Sequence, residues 1–336
     1  MGPKDDFGAI LLSQEGIKIK TILAGKIRRY LNFKSFMENL LDLFVKVPAG
    51  IFMAFWKVLF LGPDLILSKG GYGSLPVVLA GWFLWVPIFL HEGDVKPGLA
   101  NKFLSIFAKK VFVSFPRTQF FSPKKMILTG NPVRRELLEG TKEEARQLFG
   151  IGTQKPVIFV LGGSQGAQRI NDKILEILPQ LLEKFEIIHQ IGEKNSDQVK
   201  AEVKVVVGAD LEKSFHPVPF LKEEVLKQAY AVCDLIVSRA GSGSIFEIAA
   251  LGKPSILIPL PEAAQNHQVE NAYSYGQNGA AVVLEESNFT PNFFMEKLKF
   301  LFSHPEELEK MSKAAKDFAK PEAAKIIAQH ILDYLS

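Results

Sequence analysis

An internal repeat, whose two copies begin at residues 64 and 234, constrains the fold of this 336-residue chain more than any other feature of its sequence. Residues 64–74 read DLILSKGGYGS and residues 234–244 read DLIVSRAGSGS. Each copy predicts a buried strand, a glycine turn, a helix and a second buried strand, because strands of a parallel sheet are covered on both faces and continuously apolar. The repeat therefore predicts two similar α/β domains with doubly wound parallel sheets, which bind ligands at the carboxyl ends of their strands.

A third strand–glycine–helix unit opens the second half of the chain. The strand VIFVL at residues 157–161 precedes the loop GGSQGA at residues 162–167 and a predicted helix through Ile170, Ile174 and Ile177. Glycines let the backbone approach a ligand, and a helix N-terminus offers free N–H groups to an anion. The loop is neither a Walker loop nor a G-x-G-x-x-G fingerprint, so a phosphate-binding loop and an ordinary tight turn both stay open.

Charge is distributed unevenly along the chain. Residues 1–136 carry 19 Lys and Arg against 9 Asp and Glu, and residues 137–336 carry 21 against 27, so the net +4 covers halves of +10 and −6. A basic half favours nucleic acid, an anionic membrane or a phosphorylated substrate. We expect no nucleic-acid partner, because no zinc-ligand spacing, RNP-like run or basic helix with interleaved aromatics is present. The single cysteine, Cys233, excludes a disulfide scaffold and indicates a reducing compartment.

The basic half also contains an apolar segment, residues 40–61, that is long enough to span a bilayer. Asp42, Lys46 and Lys57 interrupt it, and a charge at the centre of a spanning helix costs about 2.5–3.5 kcal/mol. Three interpretations stay open: a core helix flanked by lysines, an apolar surface resting on a membrane, and, least favoured, a spanning helix. Basic residues that precede the segment would suit anionic headgroups, namely Lys26, Arg28, Arg29 and Lys34.

Two features of the later repeat indicate a polyol ligand. Glu247 lies among apolar residues of the predicted helix, where the first copy has Val77. Burying a lone carboxylate is costly, so it needs a partner such as a ribose diol, unless it lies at a solvated helix edge. Residues 264–271, AQNHQVEN, follow a buried strand and provide neutral groups for a sugar, although a plain helix cap would also explain Gln265 and Asn266.

These motifs resemble the MurG family of bacterial N-acetylglucosaminyltransferases, which convert lipid I to lipid II in peptidoglycan synthesis. The resemblance runs from about residue 15 to the end of the chain. Its donor-side motifs are GGSQGA at 162–167, SRAG at 238–241, EIAALGKP at 247–254 and HQ-x-x-NA at 267–272. Its motifs in the first half are KGGY at 69–72, HE at 91–92, PGLAN at 97–101 and GNPVR at 130–134.

The resemblance implies a GT-B fold, with two Rossmann-like domains that face each other across a cleft. It places an acceptor and membrane-facing domain at residues 1–136 and a UDP-GlcNAc-binding domain at residues 137–319, with a last helix at about 320–336 packing back on the first. The family begins with a strand, a Gly-Gly-Thr-Gly-Gly-His loop and a helix that this sequence lacks. We therefore expect the first domain to be N-terminally incomplete, with an exposed sheet edge and without the histidine usually proposed as the base.

The resemblance also assigns site residues by position. The donor-side residues are Gly163, Ser164 and Gln165 in the diphosphate loop; Arg239, Gly241 and Ser244 at a helix start that faces the diphosphate; Leu221 at the uracil; Glu247 at the ribose; His267, Gln268 and Asn271 at the GlcNAc; and Arg134, which would reach the donor across the cleft. The acceptor-side residues are Gly70, Gly71, Tyr72 and Asp94. The candidate bases are His91 and Glu92, and Asp94 stands where the family has a neutral amide.

The implied reaction is an inverting, metal-independent transfer of GlcNAc from UDP-GlcNAc to the muramyl 4-hydroxyl of lipid I, without a cofactor. The expected partners are UDP-GlcNAc, lipid I and an anionic membrane surface, and the expected location is peripheral, on the cytoplasmic face of the plasma membrane. Two other functions stay open: a soluble UDP-GlcNAc 2-epimerase-like enzyme, and a non-catalytic UDP-GlcNAc-binding protein.

Overall fold

The chain forms two compact units in a computed structural model that describes residues 1–4, 12, 16–26, 28, 32–116, 118–162 and 167–336. The first unit comprises Met1–Thr129 and Ile326–Ser336, and the second comprises Gly130–Lys325. Each contains a parallel sheet flanked by helices, which confirms the predicted α/β fold with two Rossmann-like domains. The 3-10 turn Arg135–Leu138, near the predicted domain boundary at residue 136, packs on a helix of the second unit.

The sheet of the first unit has four described strands, all parallel, in the order β1-β2-β3-β4. Among the described residues, β1 pairs with β2 alone, so its outer edge has no strand beside it. The elements are α1 (Phe33–Leu41), α2 (Val47–Leu61), β1 (Ile66–Ser68), α3 (Leu75–Phe83), β2 (Ile88–Glu92), α4 (Leu99–Leu104), β3 (Lys110–Val113) and β4 (Met126–Leu128).

The sheet of the second unit has six parallel strands in the order β10-β9-β8-β5-β6-β7. Its central strands are apolar and fully buried, as the sequence predicts. The strands are β5 (Val157–Leu161), β6 (Glu186–Gln190), β7 (Phe215–Val218), β8 (Leu235–Ser238), β9 (Ser255–Leu257) and β10 (Ala281–Val283). The helices are α5 (Lys142–Phe149), α6 (Gln168–Glu176), α7 (Leu178–Lys184), α8 (Ser196–Val206), α9 (Ala209–Glu212), α10 (Glu223–Val232), α11 (Ser242–Ala250), α12 (His267–Gly276), α13 (Pro291–Ser303) and α14 (Pro305–Phe318).

The last helix, α15 (Ala323–Leu335), covers one face of the first sheet. Ile327 is buried with Phe89 of β2 and Phe112 of β3, and Ile331 packs beside them. The ring of Tyr334 meets Phe89 edge-on, with 5.1 Å between centroids. Residues from Ile326 onward therefore complete the core of the first unit.

One helical run of 29 residues extends from Phe33 to Leu61, and it is long and apolar enough to cross a membrane by length and composition. It begins before the predicted residue 40, because the Asn32 side chain caps it by accepting from the Ser35 N–H. Gly50, Ala54 and Val58 are buried on one face, whereas Phe44, Phe52 and Phe60 are 68%, 65% and 82% exposed. The core-helix interpretation therefore accounts for one face only.

A buried carboxylate fixes the π-helical turn Asp42–Lys46 that joins α1 to α2. Asp42 accepts hydrogen bonds from Arg28 at 2.8 Å and from the Lys26 N–H at 3.0 Å, and it pairs with Lys46 at 2.6 Å. Burial raises the pKa of Asp42, but these donors outweigh it and lower the pKa to about 2. Two of the charges that interrupt the apolar run thus pair with each other.

We predict that Gly50→Ala destabilises the first unit. A Cβ at this position would overlap the backbone carbonyl oxygen of Leu23, which cannot move away as a flexible side chain would. The expected loss in free energy of unfolding is about 1–3 kcal/mol. Urea unfolding followed by tryptophan fluorescence measures it, because all three tryptophans lie in the first unit.

The matched control is Gly98→Ala, also in the first unit, where an added Cβ meets no atom within 4 Å. Equal unfolding midpoints for Gly50→Ala and the unchanged protein would contradict the close packing of α2.

Candidate functional site

The second sheet reverses its winding between β5 and β8. The chain adds β6 and β7 on one side of β5 and then returns to add β8, β9 and β10 on the other. Leu161 of β5 lies opposite Ser238 of β8, so the loops after both strands leave the sheet at neighbouring points. Open parallel sheets bind ligands at such a reversal, outside the carboxyl ends of the strands. The strand that precedes the predicted diphosphate loop and the strand that precedes the predicted helix start therefore end at the same edge of the sheet.

Glu247 lies on α11 at this edge, with its side chain 14% exposed. Arg134 donates to its Oε1 from Nε at 3.2 Å and from Nη2 at 2.8 Å, and the hydroxyl of Tyr230 donates to Oε2 at 3.1 Å. Arg134 also lies 3.5 Å from Glu223. Arg134 thus contacts the predicted ribose carboxylate directly.

Arg239 is held by the backbone and by one carboxylate. Its Nη1 donates to the carbonyl of Ile258 at 3.1 Å and lies 2.5 Å from Glu286. Glu286 also pairs with Arg169, which in turn makes two hydrogen bonds to Glu262 at 3.0 and 2.8 Å. These contacts join the start of α6 to the loops after β8 and β9, so the side chain of Arg239 fixes loops around the site.

The loop after β9 contains two adjacent residues with left-handed backbone, Gln265 (φ 57°) and Asn266 (φ 62°). Such conformations cost energy for residues other than glycine and concentrate at functional sites. Asn266 makes no side-chain cap to α12, so the plain helix-cap interpretation is wrong for it. The Nε2 of Gln265 has no hydrogen-bond partner among the described residues.

Gln268 and Asn271 follow on α12. The Oε1 of Gln268 accepts from the Leu260 N–H at 2.9 Å and so holds the loop. Asn271 is fully buried and donates to the carbonyl of Ala240 at 3.3 Å, so it supports the turn that starts α11. Their contacts with a sugar stay predictions, as does a role for His267, whose Nδ1 lies 2.6 Å from the Ala264 carbonyl oxygen.

The remaining donor-side predictions fall in three places. Gly163, Ser164 and Gln165 lie outside the described residues. Leu221 is buried just after β7, which ends at the same edge of the sheet. Gly241 is the N-cap of α11 and Ser244 lies in its first turn, so the helix begins, with its free N–H groups, at the carboxyl end of β8, and its contact with a diphosphate stays a prediction.

In the first unit, Gly70 and Gly71 form a turn after β1 with φ of 81° and 80°. A Cβ on Gly70 would overlap the side-chain amide of Asn101, so only glycine fits there. The turn and the half-exposed Tyr72 line a cavity of about 550 Å³ that runs along the free edge of β1. The predicted acceptor residues 70–72 thus share one cavity, whereas Asp94 does not line it.

The candidate bases lie at the end of β2, and both are buried. His91 is 2% exposed and its Nε2 lies 3.4 Å from the Ser114 hydroxyl. Glu92 is 4% exposed and accepts from the Asp94 N–H at 3.0 Å and from Asn101 at 2.9 Å. Burial raises the pKa of Glu92 more than these hydrogen bonds lower it. Their role as bases stays a prediction.

We predict that Glu92→Gln makes the first unit relatively more stable as the pH rises. A raised pKa means that the folded protein holds the Glu92 proton more tightly than the unfolded chain does. The stability from that proton is full below the unfolded value of 4.5 and is lost as the pH rises through the folded value. Tryptophan-monitored urea unfolding from pH 4 upward, with the unchanged protein as reference, checks this. A constant difference between the two proteins would contradict it.

Sequence reasoning did not find Tyr230, Glu286 or the Arg169–Glu262 pair. Tyr230 lies in an ordinary apolar position of α10, and the three charged residues carry no motif. Only the folded arrangement brings them to Glu247 and Arg239.

Among the described residues, no group of three or more His, Cys, Asp or Glu side chains is placed to hold a metal ion.

Matches to known proteins cover almost the whole chain. The glycosyltransferase family 28 C-terminal domain matches residues 157–327, and the N-terminal domain of that family matches residues 1–113. A UDP-N-acetylglucosamine–N-acetylmuramyl-(pentapeptide) pyrophosphoryl-undecaprenol N-acetylglucosamine transferase from Bacillus cereus is 39% identical over 327 residues, which cover 96% of this chain and 87% of the relative.

Two solved structures place the fold. The crystal structure of Acinetobacter baumannii MurG has a TM-score of 0.73 at 28% identity and covers 99% of this chain and 88% of its own. A UDP-GlcNAc 2-epimerase from Neisseria meningitidis has a TM-score of 0.66 over 98% of this chain and 90% of its own, but at 17% identity it shows the fold alone. The epimerase and non-catalytic alternatives are therefore not favoured. From these matches we conclude that the chain belongs to glycosyltransferase family 28, and within it to the MurG group of N-acetylglucosaminyltransferases.

Proposed function

We propose that this chain transfers GlcNAc from UDP-GlcNAc to the muramyl 4-hydroxyl of lipid I, with inversion at the anomeric carbon, to give lipid II. The observation that carries the proposal is the contact between Arg134 and Glu247, which lies on α11, the helix that begins after β8 where the second sheet reverses. An anionic acceptor such as Glu247 suits the diol of a nucleotide sugar, and a cation together with a helix N-terminus suits its diphosphate. The Bacillus cereus relative carries the same substrates in its name.

The donor would bind in the second unit. Glu247 would accept from the ribose hydroxyls at Oε1, in competition with Arg134. We expect Arg134 to turn toward the diphosphate, because its side chain is 46% exposed and its ion pair with Glu247 is weakened by solvent. Gln268, already holding the loop after β9, would meet the GlcNAc hydroxyls.

The transfer breaks the bond from C1 of GlcNAc to UDP, whose oxygen leaves with the electron pair. The acceptor hydroxyl forms the new bond to C1 and gives its proton to a base. Arg134 and the first turn of α11 stabilise the charge on UDP by electrostatics fixed before the reaction. Glu92 is the proposed base with His91 beside it, since a raised pKa makes Glu92 a better proton acceptor than a solvated glutamate.

The acceptor would reach the first unit from a membrane. Phe52, Trp56 and Phe60 form a row along α2, with 6.2 and 5.8 Å between successive ring centroids. Exposed aromatic rings next to basic residues suit the interface of an anionic bilayer. We therefore propose a peripheral position on the cytoplasmic face of the plasma membrane, with the helical run Phe33–Leu61 lying on the surface.

We predict that Glu247→Gln raises the KM for UDP-GlcNAc by about 10- to 100-fold and leaves kcat within a few-fold. The amide loses the charge that strengthens two hydrogen bonds from the ribose, and such bonds contribute about 1.5–3 kcal/mol. Steady-state assays with a lipid I analogue measure both constants.

Glu223→Gln is the matched control, because Glu223 also contacts Arg134 but lies on α10 at 3.5 Å. We expect its KM to stay within about twofold of the unchanged protein. An unchanged KM in Glu247→Gln would remove the ribose assignment and with it the main support for the donor site.

In the same assay, Glu92→Gln should lower kcat by about 10²–10⁴-fold, because it removes the proposed base.

We predict that the protein sediments with phosphatidylglycerol vesicles more than with phosphatidylcholine vesicles. Phe52→Glu with Phe60→Glu should lower the bound fraction about tenfold or more, because each exposed ring would otherwise leave water. Val205→Glu, at an 86% exposed apolar position of the second unit, should bind as the unchanged protein does. Equal binding by all three proteins would contradict the proposal that α2 binds the membrane.

A further inference from the structure

Tyr230 is a buried side chain with a polar end. It lies on α10 with no exposed surface, and its ring meets Phe159 of β5 edge-on, with 5.5 Å between centroids. A buried phenol hydroxyl needs a hydrogen-bond partner, since burying it alone is costly. Its partner is Oε2 of Glu247 at 3.1 Å.

The two donors to Glu247 differ in exposure to solvent. Arg134 reaches Oε1 with a side chain that is 46% exposed, whereas Tyr230 reaches Oε2 from within the close packing between α10 and β5. Residues beside Glu247 on α11, Phe246 and Ile248, are also fully buried. The hydrogen bond from Tyr230 restrains the end of the Glu247 side chain, and a glutamate loses about 1.5–2 kcal/mol of rotamer entropy when it is fixed.

We propose that Tyr230 is a positioning residue for donor recognition, which fixes the Glu247 carboxylate so that Oε1 faces the ribose hydroxyls. The inference rests on the proposed function, since it needs Glu247 at the ribose. The geometry makes Tyr230 a determinant of the preference for a ribose donor over a 2′-deoxyribose donor. A site built to accept from a substrate hydroxyl rejects an analogue without it, provided that the acceptor is held in place.

Two further observations agree with this role. Burial and the neighbouring Glu247 raise the pKa of Tyr230 well above 10, so the phenol stays a hydrogen-bond donor across the working range. Tyr230 contacts Oε2 only, so Oε1, which accepts from Arg134, is the oxygen that the ribose hydroxyls would reach once Arg134 turns away.

The test is Tyr230→Phe, which removes the hydroxyl and keeps the ring. We measure kcat and KM with UDP-GlcNAc and with its 2′-deoxyribose analogue. We expect the KM for UDP-GlcNAc to rise about 3- to 10-fold, kcat to stay within twofold and the preference for the ribose donor to fall by a similar factor. In Tyr230→Phe with Glu247→Gln, the KM should be no higher than in Glu247→Gln alone, since the hydroxyl acts through that carboxylate.

The matched control is Tyr275→Phe. Tyr275 is also fully buried in the second unit, and its hydroxyl has no hydrogen-bond partner among the described residues. Removing that hydroxyl should leave the KM and the donor preference unchanged, so any general effect of losing a buried phenol would appear here too.

Failures of the two proposals are distinguishable. If Glu247→Gln keeps the full preference for the ribose donor, the ribose assignment is wrong and the role of Tyr230 falls with it. If Glu247→Gln abolishes the preference while Tyr230→Phe retains it, only the role of Tyr230 is overturned. An equal rise in KM for both donors in Tyr230→Phe would show a merely structural residue and would also overturn it.

Discussion

The pairing of β5 with β8 determines where the centre of the candidate donor site lies. The two strands are parallel neighbours, with Ile158 opposite Leu235 and Leu161 opposite Ser238. Because both run in one direction, both end at the same edge, and because later strands go to opposite sides, their reversal forms the kind of gap in which open parallel sheets bind ligands. Glu247, Arg239 and the start of α11 take their positions from that gap, and Arg134 and Tyr230 from their contacts with Glu247.

The repeated pattern was sufficient to predict this framework. A glycine turn between two continuously apolar runs occurs after β1 and after β8, and both give a strand, a helix and a parallel strand. The sequence also singled out Glu247, because a carboxylate within IFEIAA contradicts the apolar pattern around it. Local patterns of this kind are visible without a structure, since they depend on neighbours in the chain.

The partners of these residues could not be predicted in the same way. Arg134 and Glu247 are far apart in the chain, and nothing in either neighbourhood indicates that a guanidinium and a carboxylate meet. Tyr230 looks like any aromatic residue on the buried face of a helix until its hydroxyl is traced to Oε2. Asn271 belongs to a polar patch, yet its side chain points under the turn at Ala240 because α12 packs there. The position of the apolar segment at residues 40–61 was ambiguous for a related reason. Hydropathy alone does not show that Gly50 and Ala54 are buried while other apolar residues of the same helix are exposed.

The order of segments along the chain has a consequence for synthesis. The second unit is continuous, whereas the first needs residues from both sides of it. Strands β2 and β3 leave the ribosome early, but Ile327, Ile331 and Tyr334, which cover Phe89 and Phe112, emerge only after the whole second unit has been made. Domains fold as units during translation, usually from the N-terminal end. Here the later unit can close its core first, and the nascent first unit keeps two aromatic side chains uncovered until then.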